Sequence, residues 1–216
     1  MNRINIGCGK TPTKGWKNFD NSFSLRLSTI PLLPRVLNVI GFINEAQSEF
    51  VKFASENHID YGDATKGLPL KDESCEVVYS SHMLEHLDRK GADSFLKEAY
   101  RLLCPNGLIR IAVPDIKKKI EQYNECGDAD AFIESTHMCV SRPTSLAQKI
   151  RFLLVGTRHH QWMYDGYSLS RLLEKNGFVE AKIVPFGNTN IPEPGSLDLY
   201  ERSSESVYVE AKKPIA

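Results

Sequence analysis

Short stretches of this chain carry side chains that can do chemistry at strand ends. Gly7-Cys8-Gly9 follows an apolar run, Asp20 closes "WKNFD", and Gly62-Asp63-Ala64 forms an acidic turn. Ser80-Ser81-His82 follows "CEVVY", Pro114-Asp115 follows "LIRIAV", and His159-His160 precede Tyr164. Two glycines let a ligand approach the backbone closely, and a carboxylate ending a strand can accept both hydroxyl protons of a ribose. An acidic turn can accept the amino proton of an adenine. Pro12 stands where a dinucleotide fingerprint needs its third glycine. The loop therefore favours a nucleoside without a pyrophosphate over a nicotinamide dinucleotide. His86, Asp115, His159 and His160 are the candidate bases for a hydroxyl acceptor. His82 and His86 are four residues apart and would share a face on a helix, but no HExxH pattern or cysteine partner accompanies them, so no metal is expected.

These residues need a scaffold that brings strand ends together. Residues 3–6 and Trp16 to Asp20 read as short strands, with too few residues between Gly9 and Asp20 for a full crossover helix. Apolar spacing predicts a helix from Asn44 to Ser55, then a brief strand in "HIDY" and a buried strand in "CEVVYSS". Two helical stretches are expected in "HMLEHLDRKGADSFLKEAYRLLCPNG", the second burying Ala92, Phe95, Leu96, Ala99, Leu102 and Leu103. "LIRIAVPD" is a strand, Ser168 to Asn176 a helix ended at Gly177, and "AKIVPF" and "SVYVEAKK" close the chain as strands. The alternation predicts one α/β domain over 1–216, a doubly wound, mostly parallel, Rossmann-like sheet with an antiparallel edge strand. Ligands of such sheets bind outside the carboxyl ends of the strands, where the candidate residues lie.

Four blocks resemble class I S-adenosylmethionine-dependent methyltransferases of the methyltransferase type 11 sort. They are "INIGCGKTPTKGWKNFD", "YGDATKGLPLKDESCEVVYSSHMLEHL", "FLKEAYRLLCPNGLIRIAVPD" and "HHQWMYDGYSLSRLLEKNGF". The resemblance implies S-adenosylmethionine as cofactor. It implies that Gly7, Cys8 and Gly9 line the methionine part, that Asp20 holds the ribose, and that Asp63 and Ala64 flank the adenine. Ser81 and His82 would lie beside the sulfonium. The shortened segment before Asp20 departs from the family pattern, and residues 21–58 are expected to supply a covering lid.

Composition narrows the remaining choices. Lys and Arg number 27 against 27 Asp and Glu, so no global field exists to hold a polyanion, and nucleic acid is not an expected partner. Five cysteines without a CxxC pair suit a reducing, cytoplasmic compartment, and no apolar run reaches a membrane span. Residues 116–164 form a long insertion on the substrate side. Its Arg151 and Arg158, with His159 and Tyr164, are candidate acceptor-binding residues, pointing to a small, anionic or carbohydrate-type acceptor. "SLAQKIRFLLVG" reads as an amphipathic helix, which also allows peripheral membrane contact. A noncatalytic module that keeps the fold, serving as a partner subunit, is the competing reading.

Overall fold

The computed structural model describes residues 2–28, 45–139 and 159–215. Seven strands form one sheet: β1 (Asn2–Ile6), β2 (Lys17–Asp20), β3 (Ile59–Tyr61), β4 (Cys75–Ser81), β5 (Leu103–Pro114), β6 (Val179–Val184) and β7 (Ser206–Lys212). Their order is β3-β2-β1-β4-β5-β7-β6. The pairs from β3 to β5 are parallel, and the expected antiparallel component is β7, which runs against both β5 and the edge strand β6.

The helices are α1 (Phe23–Ser28), α2 (Glu45–Glu56), α3 (Arg89–Leu102), α4 (Ile116–Cys126), α5 (Ala129–Ser135) and α6 (Gly166–Lys175). Four of them start on an aspartate whose side chain accepts a backbone N–H of the first turn: Asp88, Asp115, Asp128 and Asp165. In α3 the apolar positions Ala92, Phe95, Leu96, Ala99 and Leu102 are buried, and Leu169, Leu172 and Leu173 do the same for α6. Both helices pack on Ile4, Val78, Ile109, Ile111 and Val209 in one continuous core. The opposite face is different. Val77 and Tyr79, which alternate with Val78 along β4, are covered by Ile191 and Leu197 from the loop between β6 and β7. Doubly wound sheets ordinarily place helices there.

One element differs from the sequence reading, and one bears it out. The stretch after β4 is a single 3-10 turn, Leu84–His86, and not a helix. Asp88, two residues past the turn, caps α3 and so fixes where regular helix begins. The β1 to β2 crossover has no helix at all: residues 7–16 are turns held by two buried asparagines. Asn18 Oδ1 accepts from Thr13 N at 2.8 Å while its amide donates to the Thr13 and Trp16 carbonyls. The Asn5 amide donates to Thr11 O and Thr13 Oγ1. These side chains satisfy backbone groups that a helix would have paired internally. Residues 29–44 and 140–158, and with them the middle of the expected lid and the "SLAQKIRFLLVG" segment, lie outside the described residues.

Candidate functional site

The carboxyl ends of β1, β2, β4 and β5 converge, and the candidate residues converge with them. Gly7 and Gly9 both have left-handed backbones (φ 73° and 51°). A Cβ on Gly7 would lie 2.5 Å from Met83 Cγ, so the loop after β1 and the turn after β4 touch only because position 7 is glycine. Above Gly9 nothing lies within 4 Å of such a Cβ, which leaves the backbone there open to a ligand. Asp20, at the end of β2, accepts from Gly9 N on Oδ2 (3.1 Å) and from Ser22 N on Oδ1 (2.8 Å). Each oxygen keeps lone-pair capacity for a ribose hydroxyl.

Cys8 does not present a free thiol to this space. Its side chain packs with Leu25, Ala54 and Ile59, where α1 and α2 rest on β3, and burial, with Asp20 nearby, pushes the thiol up to about 12. Asp63 holds Thr65 and Lys66 around its turn; against desolvation, the Lys66 and Thr65 hydrogen bonds keep its carboxyl below the usual range. Ala64 is buried beside it, and Ser81 is buried at the end of β4.

Beyond β4 lies a cluster whose members are scattered along the chain. Glu85, in the 3-10 turn, is 1% exposed. Its backbone carbonyl accepts from Gln161 N and Trp162 N, which pins the segment 159–162 against the turn. His82 Nδ1, His86 Nε2 and His160 Nε2 therefore surround one carboxylate oxygen, Glu85 Oε1, at 3.6, 3.8 and 3.9 Å. These are not ion pairs of charged histidines. Desolvation lowers His82 to about 3 and His160 to about 4, lowers His86 as well, and raises Glu85 to about 8. His82 has both ring nitrogens engaged: Arg202 donates to Nδ1 (3.0 Å), so Nε2–H donates to Ser206 Oγ (2.7 Å). His86 Nδ1–H donates to the His159 carbonyl at 3.3 Å, which leaves the Nε2 lone pair facing Glu85.

The remaining candidates fall elsewhere. Asp115 caps α4 through Lys117 N, and desolvation raises its carboxyl. His159 contributes its carbonyl to the cluster, whereas Tyr164 is wholly buried in the main core with its hydroxyl 3.5 Å from Arg89. Its side chain packs and does not reach a substrate. Arg151 and Arg158 lie outside the described residues. Sequence reading missed Glu85, Glu201 and Arg202. Glu201 joins Thr11 Oγ1 of the glycine loop to the Tyr79 hydroxyl, and Arg202 holds His82, both from the loop before β7. For Glu85 the signal was present, a carboxylate between two histidines in "HMLEH". For Glu201 and Arg202 no local pattern marks them.

Residues 29–111 match the family described as methyltransferase domain. No curated protein matches the chain. Among solved structures, a SAM-dependent methyltransferase from Methanosarcina mazei is 14% identical with a TM-score of 0.54, covering 100% of this chain and 93% of its own. Another, titled a possible histamine N-methyltransferase from Thermotoga maritima, is 17% identical with a TM-score of 0.52, covering 98% and 81%. At such identities the structures establish a shared fold. Residues 29–111 thus match a methyltransferase domain, and the chain as a whole shares the fold of these SAM-dependent methyltransferases.

Proposed function

We propose that the chain transfers a methyl group to a small acceptor that presents a hydroxyl at the end of β4. The cofactor cradle fits the residues present: an open backbone over Gly9, a carboxylate at Asp20 with lone pairs to spare, and a polar turn at Asp63. When bound, S-adenosylmethionine supplies an electrophilic methyl carbon on a positively charged sulfur. Gly7, Gly9, Asp20 and Asp63 would hold it, and it would supply that carbon to the acceptor's lone pair. Alignment is the main requirement, because positive charge disappears in the step. The chain's residues supply alignment through the contact of Gly7 with Met83, which sets the β4 turn against the cofactor loop.

The observation that carries the hydroxyl is the Glu85, His86 and His160 cluster beside Met83, where lone pairs attract a proton at the place the acceptor enters. An anionic or carbohydrate-type acceptor is supported by the excess of basic over acidic side chains from Ser135 to Tyr164, Arg151 and Arg158 among them. Five free cysteines suit a reducing, cytoplasmic setting. The test is calorimetric titration with S-adenosylmethionine and S-adenosylhomocysteine, NAD as control, followed by methyl transfer to a panel of anionic sugars and other small hydroxyl compounds. Asp20→Ala should weaken cofactor binding by roughly tenfold to a hundredfold, since it removes hydrogen bonds to a charged group. Cofactor binding without turnover on any acceptor would favour the noncatalytic partner subunit, and no binding at all would overturn the enzyme reading.

A further inference from the structure

Glu85 is the most unusual group among the described residues. Its side chain is 1% exposed, yet neither carboxylate oxygen receives a hydrogen bond. A buried carboxylate in that condition loses its hydration without replacement, which costs far more than a buried neutral group. The groups nearest to it do not repair this. His86 Nε2 faces Oε1 at 3.8 Å with a lone pair, because its Nδ1–H is given to the His159 carbonyl. His160 Nε2 lies at 3.9 Å, and His82 has no nitrogen left to donate. Lone pairs thus converge on a small space at separations too long for hydrogen bonds.

We propose that Glu85, His86 and His160 bind one divalent transition-metal ion, open on its remaining side to the oxygen of the methyl acceptor. One ligand atom from each residue lies within 4.8 Å of the others. An ion bonded at about 2.2 Å to two atoms 3.8 Å apart subtends an angle of roughly 120°, which is ordinary for imidazole and carboxylate ligands. Two imidazoles and one carboxylate select zinc, manganese, iron or cobalt over magnesium and calcium, which prefer oxygen alone. One outer contact is of the kind that supports a metal ligand, at His86, while His160 Nδ1 has no hydrogen-bond partner. The His86 Nδ1–H is held by a backbone carbonyl, which fixes the tautomer that offers Nε2. His160 is set edge-on between His86 and His137, with ring centroids 5.0 and 5.3 Å away. The His86 side chain is 35% exposed, so the ion faces solvent on that side, where an acceptor can enter. Met83, two residues before Glu85, touches the cofactor loop at Gly7. The ion's role toward the acceptor rests on the methyl-transfer reading; its binding does not. With the ion bound, His86 and His160 serve as ligands and not as free bases. A bound ion would lower the pKa of the acceptor hydroxyl, whose proton would pass to solvent.

Tag-free protein, stripped with chelator, is titrated calorimetrically with zinc, manganese and cobalt(II) chlorides, with magnesium chloride as control, and S-adenosylhomocysteine is titrated in parallel. Saturable binding of about one transition-metal ion is expected, weakened at least ~10-fold in His86→Ala and His160→Ala and unaffected in His58→Ala, a remote exposed histidine. Glu85→Gln, which keeps the side chain's shape, should lose affinity as well and serves if an alanine variant does not fold. No saturable binding by the folded wild-type chain, or binding that survives these substitutions unchanged, would overturn the metal site. Loss of metal binding with retained S-adenosylhomocysteine binding indicts the metal site alone. Retained metal binding with no S-adenosylhomocysteine binding indicts the methyl-transfer reading instead.

Discussion

At the scale of single residues, the site depends on positions where only one side chain fits. Gly7 is such a position twice over, through its positive φ and through Met83 Cγ, 2.5 Å from where a Cβ would stand. Gly7→Ala must strain the backbone and push the β4 turn away from the cofactor loop. We expect a loss of about 1–3 kcal/mol in denaturant unfolding, with weaker S-adenosylhomocysteine binding by calorimetry. Gly9→Ala is the informative comparison. Its Cβ meets nothing, so strain alone acts on stability and any larger effect on binding reports the ligand's own approach.

At the scale of elements, aspartate caps decide where each helix begins and hence where the preceding loop must lie. The α6 cap is reciprocal: Ser168 N donates to Asp165 Oδ1 at 2.6 Å, and Asp165 N donates to Ser168 Oγ at 3.0 Å. This cap follows the segment that carries His160 and Tyr164. Asp165→Ala should cost about 1 kcal/mol, read by chemical unfolding. The Ser168 backbone hydrogen bond holds the Asp165 carboxyl below its ordinary value. A depressed carboxyl contributes stability that is complete above the unfolded value and lost as pH falls through the folded one. The wild type should therefore lose its advantage over Asp165→Ala below about pH 4, and pH-dependent unfolding of the pair measures it.

At the scale of the whole molecule, one buried ion pair ties the sheet to the long loop that covers Val77 and Tyr79 on the face away from α3 and α6. Arg110 and Glu210 stand opposite each other on β5 and β7, 0% and 2% exposed, with 2.6 Å between Nη1 and Oε1. Glu210 also accepts from Thr189 Oγ1, Asn190 N and Asn190 Nδ2, while Arg110 donates to the Asn188 carbonyl. Glu210→Ala strands a buried guanidinium and frees the start of the loop that later supplies Glu201 and Arg202. A loss of about 3–5 kcal/mol is expected, or on the order of 10 °C in Tm. Arg110→Met combined with Glu210→Leu should be less destabilising than Glu210→Ala, because no unpaired charge remains; a double-mutant comparison by thermal unfolding tests this.

Periodicity and punctuation in the chain determined most of the scaffold. The buried run in "CEVVYSS", the apolar spacing of α3 and α6, and the Gly7, Asp20 and Asp63 markers at strand ends are local signals, and they led to the parallel sheet and to the proposed cofactor cradle. The helix expected after β4 was overruled because Asp88 caps α3 later and leaves only a turn. The cluster around Glu85 was not legible in the same way. Glu85 and His160 are 75 residues apart, and Glu201 and Arg202 reach the glycine loop and His82 from still farther along the chain. Local sequence sets the conformation of each segment, because propensity, capping and hydrophobic period act over a few residues. Which distant segments share a desolvated space, and so which buried carboxylate is left among histidines, is decided only when the sheet closes and water is removed from between them.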